Sequence, residues 1–241
     1  MQLYSTQGII FRTLKYSETS IICDIYTKDK GLRSFIVSGV RNSKKGSNAA
    51  IFTPLNIVDL VAYDADIEKL ARIKEINLAY HFSTLNLEVI PSSMAIFILE
   101  VCRNAIKERE ANQELYNFII DWIQYLDHNG SINPNLHLLF MYEFSAYLGL
   151  EPMKNYSNAM SYFDMLEGAF CTTDPGGEYI LDMEDSNLFS YMMDQKREQI
   201  TTFKTTKIQR DRLTDQWLLY YKLHLPGFKE LLSLDVLRSV L

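Results

Sequence analysis

The loop Gly39–Asn48 contains the side chains of this sequence that are best suited to bind a polyanion. Arg41, Lys44 and Lys45 stand there among Asn, Ser and Gly, so they cannot belong to an apolar core stripe. Basic groups on such a loop can follow the phosphates of a flexible strand. The loop lacks the Gly-Lys-Ser order of a phosphate cradle, so it predicts backbone contact and not a nucleotide pocket.

Residues with the spacing of a catalytic or metal site are missing from the sequence. The four histidines lie far apart, and His137, just after a helix start, is interpreted as a surface or capping residue. Neither a Gly-x-Ser-x-Gly nor a Gly-x-Gly-x-x-Gly sequence occurs. Cys23, Cys102 and Cys171 form no Cys-x-x-Cys pair and no disulfide framework. We therefore predict a reduced, cytoplasmic protein that is not an enzyme.

Membrane and secretory segments are also not predicted. The longest stretch without Lys, Arg, Asp or Glu is His128–Tyr142, fifteen residues. A membrane-spanning helix needs about 20 mostly apolar residues, so this stretch is too short. The first residues have neither the basic lead nor the apolar run of a secretory signal.

Charge is distributed unevenly along the chain. The net charge of −6 over 241 residues, taken as a whole, argues against a nucleic-acid binder. Residues 1–80, however, carry eleven Lys and Arg against eight Asp and Glu, whereas residues 81–241 carry thirteen against twenty-two. Such asymmetry predicts two modules with different partners, although a few solvated lysines near the start would produce the same difference.

Five short segments in the first 80 residues have the composition of β-strands. They are rich in β-branched and aromatic residues and are bounded by turn residues. These segments are Gly8–Leu14, Ser20–Thr27, Leu32–Gly39, Phe52–Tyr63 and Leu70–Leu78. Five strands with one long basic loop are typical of a small closed OB barrel, so we predict an OB-fold nucleic-acid-binding domain over residues 1–80.

Beyond residue 80 the apolar residues follow helical spacing. Three helices are expected around Met94–Ala105, Leu115–Leu126 and Leu136–Leu148, and helix returns near Ser186 and over Thr205–His224. Between them, residues 160–181 lose this spacing and include the turn Asp-Pro-Gly-Gly, which predicts a small β-hairpin insert at about 155–182. The predicted fold class is therefore α+β, an OB barrel followed by a mostly helical domain over 81–241.

Several segments, taken in order, resemble the RecO family of recombination mediators. The likeness is strongest in Gly8-Ile-Ile-Phe-Arg-Thr-Leu-Lys-Tyr-Ser-Glu-Thr-Ser, Tyr26-Thr-Lys-Asp-Lys-Gly-Leu-Arg-Ser-Phe and Gly39-Val-Arg-Asn-Ser-Lys-Lys. Further along, Ala71-Arg-Ile-Lys-Glu and Leu148-Gly-Leu-Glu-Pro also match the family pattern. No single motif is decisive, but the likeness covers the whole chain.

The resemblance implies a DNA repair and homologous recombination factor without catalytic activity. Members of the family bind single- and double-stranded DNA and anneal complementary strands. With RecR they load the recombinase RecA onto DNA that is coated by single-strand-binding protein (SSB). The implied partners are therefore DNA, RecR and the C-terminal tail of SSB, and the implied location is the cytoplasm, at the nucleoid during repair.

Carried over to this sequence, the resemblance predicts a set of DNA-binding residues that are all basic and all lie in matching segments. They are Arg12, Lys15, Arg33, Arg41, Lys44, Lys45, Arg72 and Lys74. Within this set, the three residues of the loop Gly39–Asn48 are the expected phosphate contacts. Tyr16 and Phe35 are candidates for stacking on bases, although Phe35 in a strand is more typical of a core.

The hairpin insert departs from the family pattern. Many RecO-like proteins hold zinc there with four cysteines, but residues 155–181 contain only Cys171. Because a structural zinc site needs four ligands, we predict no zinc and no other cofactor. The insert is then expected to be held together by its apolar side chains.

A second group of basic residues lies late in the chain. It could form a second DNA-binding surface or a binding site for an acidic partner such as the SSB tail. The alternative is an ordinary solvated helix face. The group consists of Lys204, Lys207, Arg210 and Arg212.

Two other functions stay open beside DNA annealing and recombinase loading. One is a protein-interaction adaptor for SSB and RecR whose barrel binds DNA weakly or not at all, which the negative net charge allows. The other is a hydrolase with an unrecognised site, which the missing catalytic motifs disfavour.

Overall fold

The computed structural model describes residues 2–40, 48–66, 69–107, 109–129, 132–172 and 176–241. Its contacts divide the chain into two compact units, Met1–Gly130 and Ser131–Leu241. The boundary that was predicted after residue 80 follows the end of the last barrel strand and stays a prediction. Within the described residues, no helix is long and apolar enough to cross a lipid bilayer.

The first unit begins with a closed five-stranded barrel. Its strands are β1 (Leu3–Lys15), β2 (Ile21–Thr27), β3 (Gly31–Val37), β4 (Ile57–Tyr63) and β5 (Ala71–Leu78). The order around the barrel is β1-β2-β3-β5-β4, and parallel pairing of β3 with β5 closes it. Because side chains alternate along a strand, one side of each strand fills the interior. The predicted OB-like barrel is confirmed.

The barrel interior is formed by apolar residues from all five strands. Cys23 and Ile25 of β2 and Phe35 of β3 are fully buried there, together with Val58 of β4. Phe52 also packs into this core, but it lies in a 3₁₀ helix that is described from Asn48 and not in a strand as predicted. The order of apolar residues thus located the strands but misplaced the start of β4.

β1 is longer than the sequence pattern predicts, since it begins at Leu3 and not at Gly8. Its first half pairs with β4 and its second half with β2. The two pairings overlap at Gly8 and Ile9, and a bulge between Ile10 and Arg12 shifts the register of β1 with β2. The apolar pattern does not reveal the first half, because most of its outward-facing side chains are polar.

Among the residues that the structure describes, two α-helices complete the first unit. They are α1 (Val89–Ala105) and α2 (Gln113–His128), and the side chain of Asn112 caps α2 by accepting a hydrogen bond from the N–H of Leu115. Tyr116 of α2 packs against Tyr26 of β2, with ring centroids 6.2 Å apart. One part of the outer surface of β2 is therefore covered by α2.

The second unit is mostly helical. Its helices are α3 (Leu136–Tyr147), α4 (Met183–Met193), α5 (Lys207–His224) and α6 (Leu234–Val240). α3 is apolar around most of its circumference and is largely buried. α5 begins with a capping box between Thr206 and Gln209, which satisfies the first backbone N–H groups of the helix.

The predicted hairpin insert is present and gains a third strand. β6 (Tyr162–Asp164) pairs with β7 (Ala169–Cys171) and also with β8 (Ile180–Leu181). The ring of Phe163 lies 4.9 Å from that of Phe170 and 4.6 Å from that of Phe189 on α4. Aromatic packing against α4 therefore anchors this small sheet.

Candidate nucleic-acid interface

The outer surface of β2 and β3 is open where α2 does not cover it. The side chains of Ile22 and Asp24 point away from the core, because Ile21, Cys23 and Ile25 between them point into it. In OB folds the surface of strands 2 and 3 is where nucleic acids bind. We call the following residues the strand face: Arg12, Leu14, Ile22, Asp24, Ser34, Ile36 and Arg72.

One row of the strand face is aliphatic and ends in a cation. Leu14, Ile22, Ile36 and Arg72 lie side by side on β1, β2, β3 and β5, as the strand register shows. Leu14 is 44% exposed, and Arg72 is also exposed. The flat faces of nucleobases can pack on such a row while a cation at its end contacts a phosphate.

The adjoining row of the strand face is polar. Arg12, Asp24 and Ser34 are neighbours on β1, β2 and β3. Nη2 of Arg12 lies 2.6 Å from Oδ2 of Asp24, and the Ser34 hydroxyl donates a hydrogen bond to Oδ1 at 2.6 Å. The charge of Arg12 is therefore offset by a carboxylate that the two flanking strands hold in place.

Loops border the strand face and add further contacts. A cleft of about 270 Å³ is lined by Arg12 and Asp24 together with Lys69, Leu70 and Arg109. Lys69 forms an exposed ion pair with Asp66 in the loop between β4 and β5. The loop between β1 and β2 presents Tyr16, which is 61% exposed and available for stacking.

The structure describes five of the eight predicted DNA-binding residues, and these five lie in several different environments. Arg12 and Arg72 lie on the strand face, and Lys15 is exposed at the end of β1. Lys74 is exposed on β5 and forms an ion pair with Glu75 at 3.3 Å. Residues 41, 44 and 45, the expected phosphate contacts, lie outside the described residues. The contribution of that loop stays a prediction.

Arg33 does not lie on the strand face. It is in register with the core residue Ile25 and stands two residues from Phe35, so it points to the inner side of the barrel wall. There it is close to Tyr4: burial raises the pKa of the Tyr4 hydroxyl, and the charge of Arg33 offsets part of that rise. Phe35 is fully buried in the core, so it is not placed to stack on a base.

The late basic residues do not form one exposed surface. Lys204 and Lys207 are exposed, although the amino group of Lys207 donates to the backbone carbonyl of Arg238. Arg212 contacts two carboxylates, Oδ1 of Asp185 at 2.5 Å and Oε1 of Glu184 at 3.2 Å. These ion pairs offset most of the charge that Arg212 could offer a partner.

Arg210 corrects the expectation of a solvated helix face. It is 4% exposed, and its Nη2 donates to the carbonyl of Leu241 at 2.8 Å. The spacing contains the signal that was missed, because Arg210 shares a helix face with the buried residues Leu213, Thr214 and Trp217. Arg210 is therefore a structural residue of the second unit.

His137 also differs from its interpretation as a surface or capping residue. It is almost fully buried, and its Nε2 lies 2.9 Å from the hydroxyl of Thr214. Burial, assisted by the nearby charge of Arg210, lowers the pKa of His137 to about 3. The imidazole is therefore neutral at physiological pH and packs α3 against α5.

Thiol and metal chemistry is poorly supported by the described residues. Burial raises the pKa of the Cys23 thiol to about 12, so it is not a nucleophile. The thiol of Cys171 donates to the carbonyl of Tyr162 at 3.4 Å. In the described ranges no group of three or more His, Cys, Asp or Glu residues could hold a metal ion. The absence of zinc from the insert stays a prediction from the sequence, in which residues 155–181 contain only Cys171.

Comparison with known proteins covers both units. The family profile "Recombination protein O N terminal" matches residues 1–82, and "Recombination protein O C terminal" matches residues 90–232. The DNA repair protein RecO of Phocaeicola vulgatus is 34% identical, over 99% of each chain. The RecO proteins of Flavobacterium psychrophilum and Bacteroides fragilis are each 33% identical, over 98% and 99% of each chain. The protein belongs to the RecO family of DNA repair and recombination proteins.

Proposed function

We propose that this protein binds single- and double-stranded DNA and anneals complementary strands. We also propose that, together with RecR, it helps to load RecA onto SSB-coated DNA. DNA repair and recombination follow from the family, and the observation in this chain that carries the proposed biochemistry is the strand face. A partly exposed aliphatic row with Arg72 at its end suits bases and phosphates at the same time.

The proposed contacts divide a bound strand into two parts. Bases pack on Leu14, Ile22 and Ile36, and Tyr16 at the edge stacks on a further base. Phosphates lie toward Arg72 and toward Lys69 in the adjoining loop. Binding two strands at once lowers their mutual repulsion, because the cations replace the counterions that each strand would otherwise hold. Annealing would then need no covalent chemistry.

The remaining properties are proposals of the same kind. We infer that the protein is not an enzyme and needs no zinc, since the insert packs through Phe163 and its aromatic neighbours and offers one thiol. RecR and the SSB tail are the proposed protein partners, and the cytoplasmic nucleoid is the proposed location. The exposed residues Lys204 and Lys207 are where an acidic tail could bind in the second unit.

A protein-interaction adaptor with weak DNA binding is the second candidate. It is favoured by the ion pair between Arg12 and Asp24, which reduces the positive charge of the strand face. It is also favoured by the acidic balance of residues 81–241.

A salt titration separates the two candidates. Binding of fluorescent single-stranded DNA is measured from about 50 to 300 mM salt, where each neutralised phosphate contributes a slope of roughly 0.7. A slope of about two to four, together with annealing of complementary oligonucleotides, supports the DNA-annealing function. A flat response with retained binding to RecR and to an SSB tail peptide would support the adaptor.

A further inference from the structure

Asp24 occupies the centre of the strand face, between two strands that both bind its carboxylate. Nε and Nη2 of Arg12 lie 2.8 Å and 2.6 Å from Oδ2 of Asp24. The hydroxyl of Ser34 donates to Oδ1 at 2.6 Å. The Asp24 side chain is 14% exposed, whereas that of Arg12 is 44% exposed. The carboxylate is therefore fixed beneath a cation that DNA can reach.

A phosphate that approaches Arg12 is attracted by the guanidinium and repelled by the Asp24 carboxylate. The guanidinium attracts the phosphate, but the Asp24 carboxylate already accepts a hydrogen bond from Nε of Arg12 and forms an ion pair with its Nη2. Two anions on one guanidinium repel each other, and the repulsion is strongest where solvent is partly excluded. Arg12 thus holds a phosphate less tightly than an unpaired arginine at the same place would.

We propose that Asp24 is a positioning residue that limits the affinity of the strand face for DNA. It fixes the guanidinium of Arg12 through the β1–β2 register, and its charge weakens the contact with phosphate, so that a bound strand leaves easily. Rapid dissociation of the bound DNA suits a surface from which that strand must pair with a complementary strand. This inference rests on the proposed DNA binding and specifies how that binding is regulated.

The first test replaces the carboxylate by its neutral isostere in Asp24→Asn. The amide keeps an oxygen acceptor, so Arg12 and Ser34 can stay in place. The dissociation constant for fluorescent single-stranded DNA at low salt should fall about three- to tenfold. The salt slope should become steeper by roughly 0.7, one additional phosphate, and the strand should dissociate more slowly.

Asp59→Asn is the matched control. Asp59 also lies on the outside of the barrel and accepts a hydrogen bond from Gln7 at 3.1 Å, but it lines a separate cleft with Ser5 and Glu75. The change in net charge is identical, so a general charge effect would raise the DNA affinity of both variants equally. The inference requires a clearly larger rise for Asp24→Asn.

A double-mutant cycle tests whether Asp24 acts through Arg12. Arg12→Gln alone should weaken binding slightly, and in Arg12→Gln/Asp24→Asn the gain from Asp24→Asn should disappear. A gain that persists without Arg12 would show that the cation is not involved and would overturn the inference. Thermal unfolding confirms that each variant is folded, and Asp24→Ser is a second neutral variant if Asp24→Asn does not fold.

The outcomes also separate this inference from the proposed function. If the wild-type protein binds DNA with a salt slope but Asp24→Asn behaves like Asp59→Asn, the role of Asp24 is wrong and DNA binding stands. If neither the wild type nor Asp24→Asn binds DNA, both proposals are wrong.

Discussion

Asp127 near the end of α2 accepts a hydrogen bond from the backbone N–H of Leu85 at 2.9 Å. The same carboxylate accepts the N–H groups of Ser83 and Thr84 and the hydroxyl of Tyr80. The side chain of Asp127 is almost fully buried, and this one carboxylate satisfies the buried N–H of Leu85 together with several partly buried donors. Asp127 thereby ties the segment that leaves the barrel to the end of α2.

Asp127→Ala should therefore destabilise the first unit strongly. The buried N–H of Leu85 and the partly buried N–H groups of Ser83 and Thr84 would lose their acceptor, so we expect the free energy of unfolding to fall by about 3 kcal/mol. Asn117→Ala, at an exposed position of the same helix, should change it by no more than about 0.5 kcal/mol. Chemical denaturation measures both values, and equal effects would show that the contacts of Asp127 contribute little.

The same residue predicts a pH dependence of stability. Burial alone would raise the pKa of Asp127, but its hydrogen bonds with Leu85, Ser83, Thr84 and Tyr80 outweigh burial and hold the pKa below its usual value. A lowered pKa stabilises the fold above the unfolded value of about 3.9, and this contribution is lost as pH falls through the folded value. Denaturation from pH 6 to about 2.5 should show this loss, and Asp127→Asn should show less of it.

Arg72→Gln should weaken DNA binding without affecting the fold. Arg72 is exposed at the end of the aliphatic row, so its loss should reduce the salt slope for single-stranded DNA by roughly 0.7. Lys229→Gln removes one exposed charge of the second unit and is the control. An unchanged slope in Arg72→Gln would contradict the role of the strand face in phosphate contact.

Arg210→Ala should affect stability and leave DNA binding unchanged. The side chain is buried and donates a hydrogen bond to the carbonyl of Leu241. Its removal leaves a cavity and an unpaired acceptor, so the free energy of unfolding should fall by about 2 kcal/mol. Lys204→Ala, at an exposed position, should leave the melting temperature unchanged. Thermal unfolding and the salt titration on both variants test this, and a lower salt slope in Arg210→Ala alone would refute it.

Phe163→Ala should destabilise the insert. Treatment of the wild-type protein with a chelator should leave its stability unchanged. The ring of Phe163 packs on those of Phe170, Phe189 and Tyr220, and its truncation should cost about 3–5 kcal/mol. Phe163→Leu keeps most of the volume and should cost less. If EDTA lowers the melting temperature of the wild-type protein, the proposed independence from zinc is wrong.

The sequence alone located the five barrel strands, the main helices and their order, although it missed the first half of β1 and the third strand of the insert. β-Branched and aromatic composition between turn residues located β2 and β3, because short strands that are buried on one side favour these residue types. The turn residues around residues 174–177 located the insert, and helical spacing of apolar residues located α5. These features depend on residues that are close together in the sequence, so the sequence alone predicts them.

The tertiary structure decided where the charged side chains lie and which groups they contact. Arg12 and Arg33 both lie in predicted strands, yet Arg12 is paired with Asp24 on the strand face and Arg33 points to the inner side of the barrel wall. The helical spacing of Arg210 indicates that it is buried, but not that it meets the carbonyl of Leu241. Which carboxylate or carbonyl meets a long basic side chain depends on the register of neighbouring strands and the packing of helices. Composition and spacing do not specify that register, so only the folded arrangement shows which charges DNA can reach.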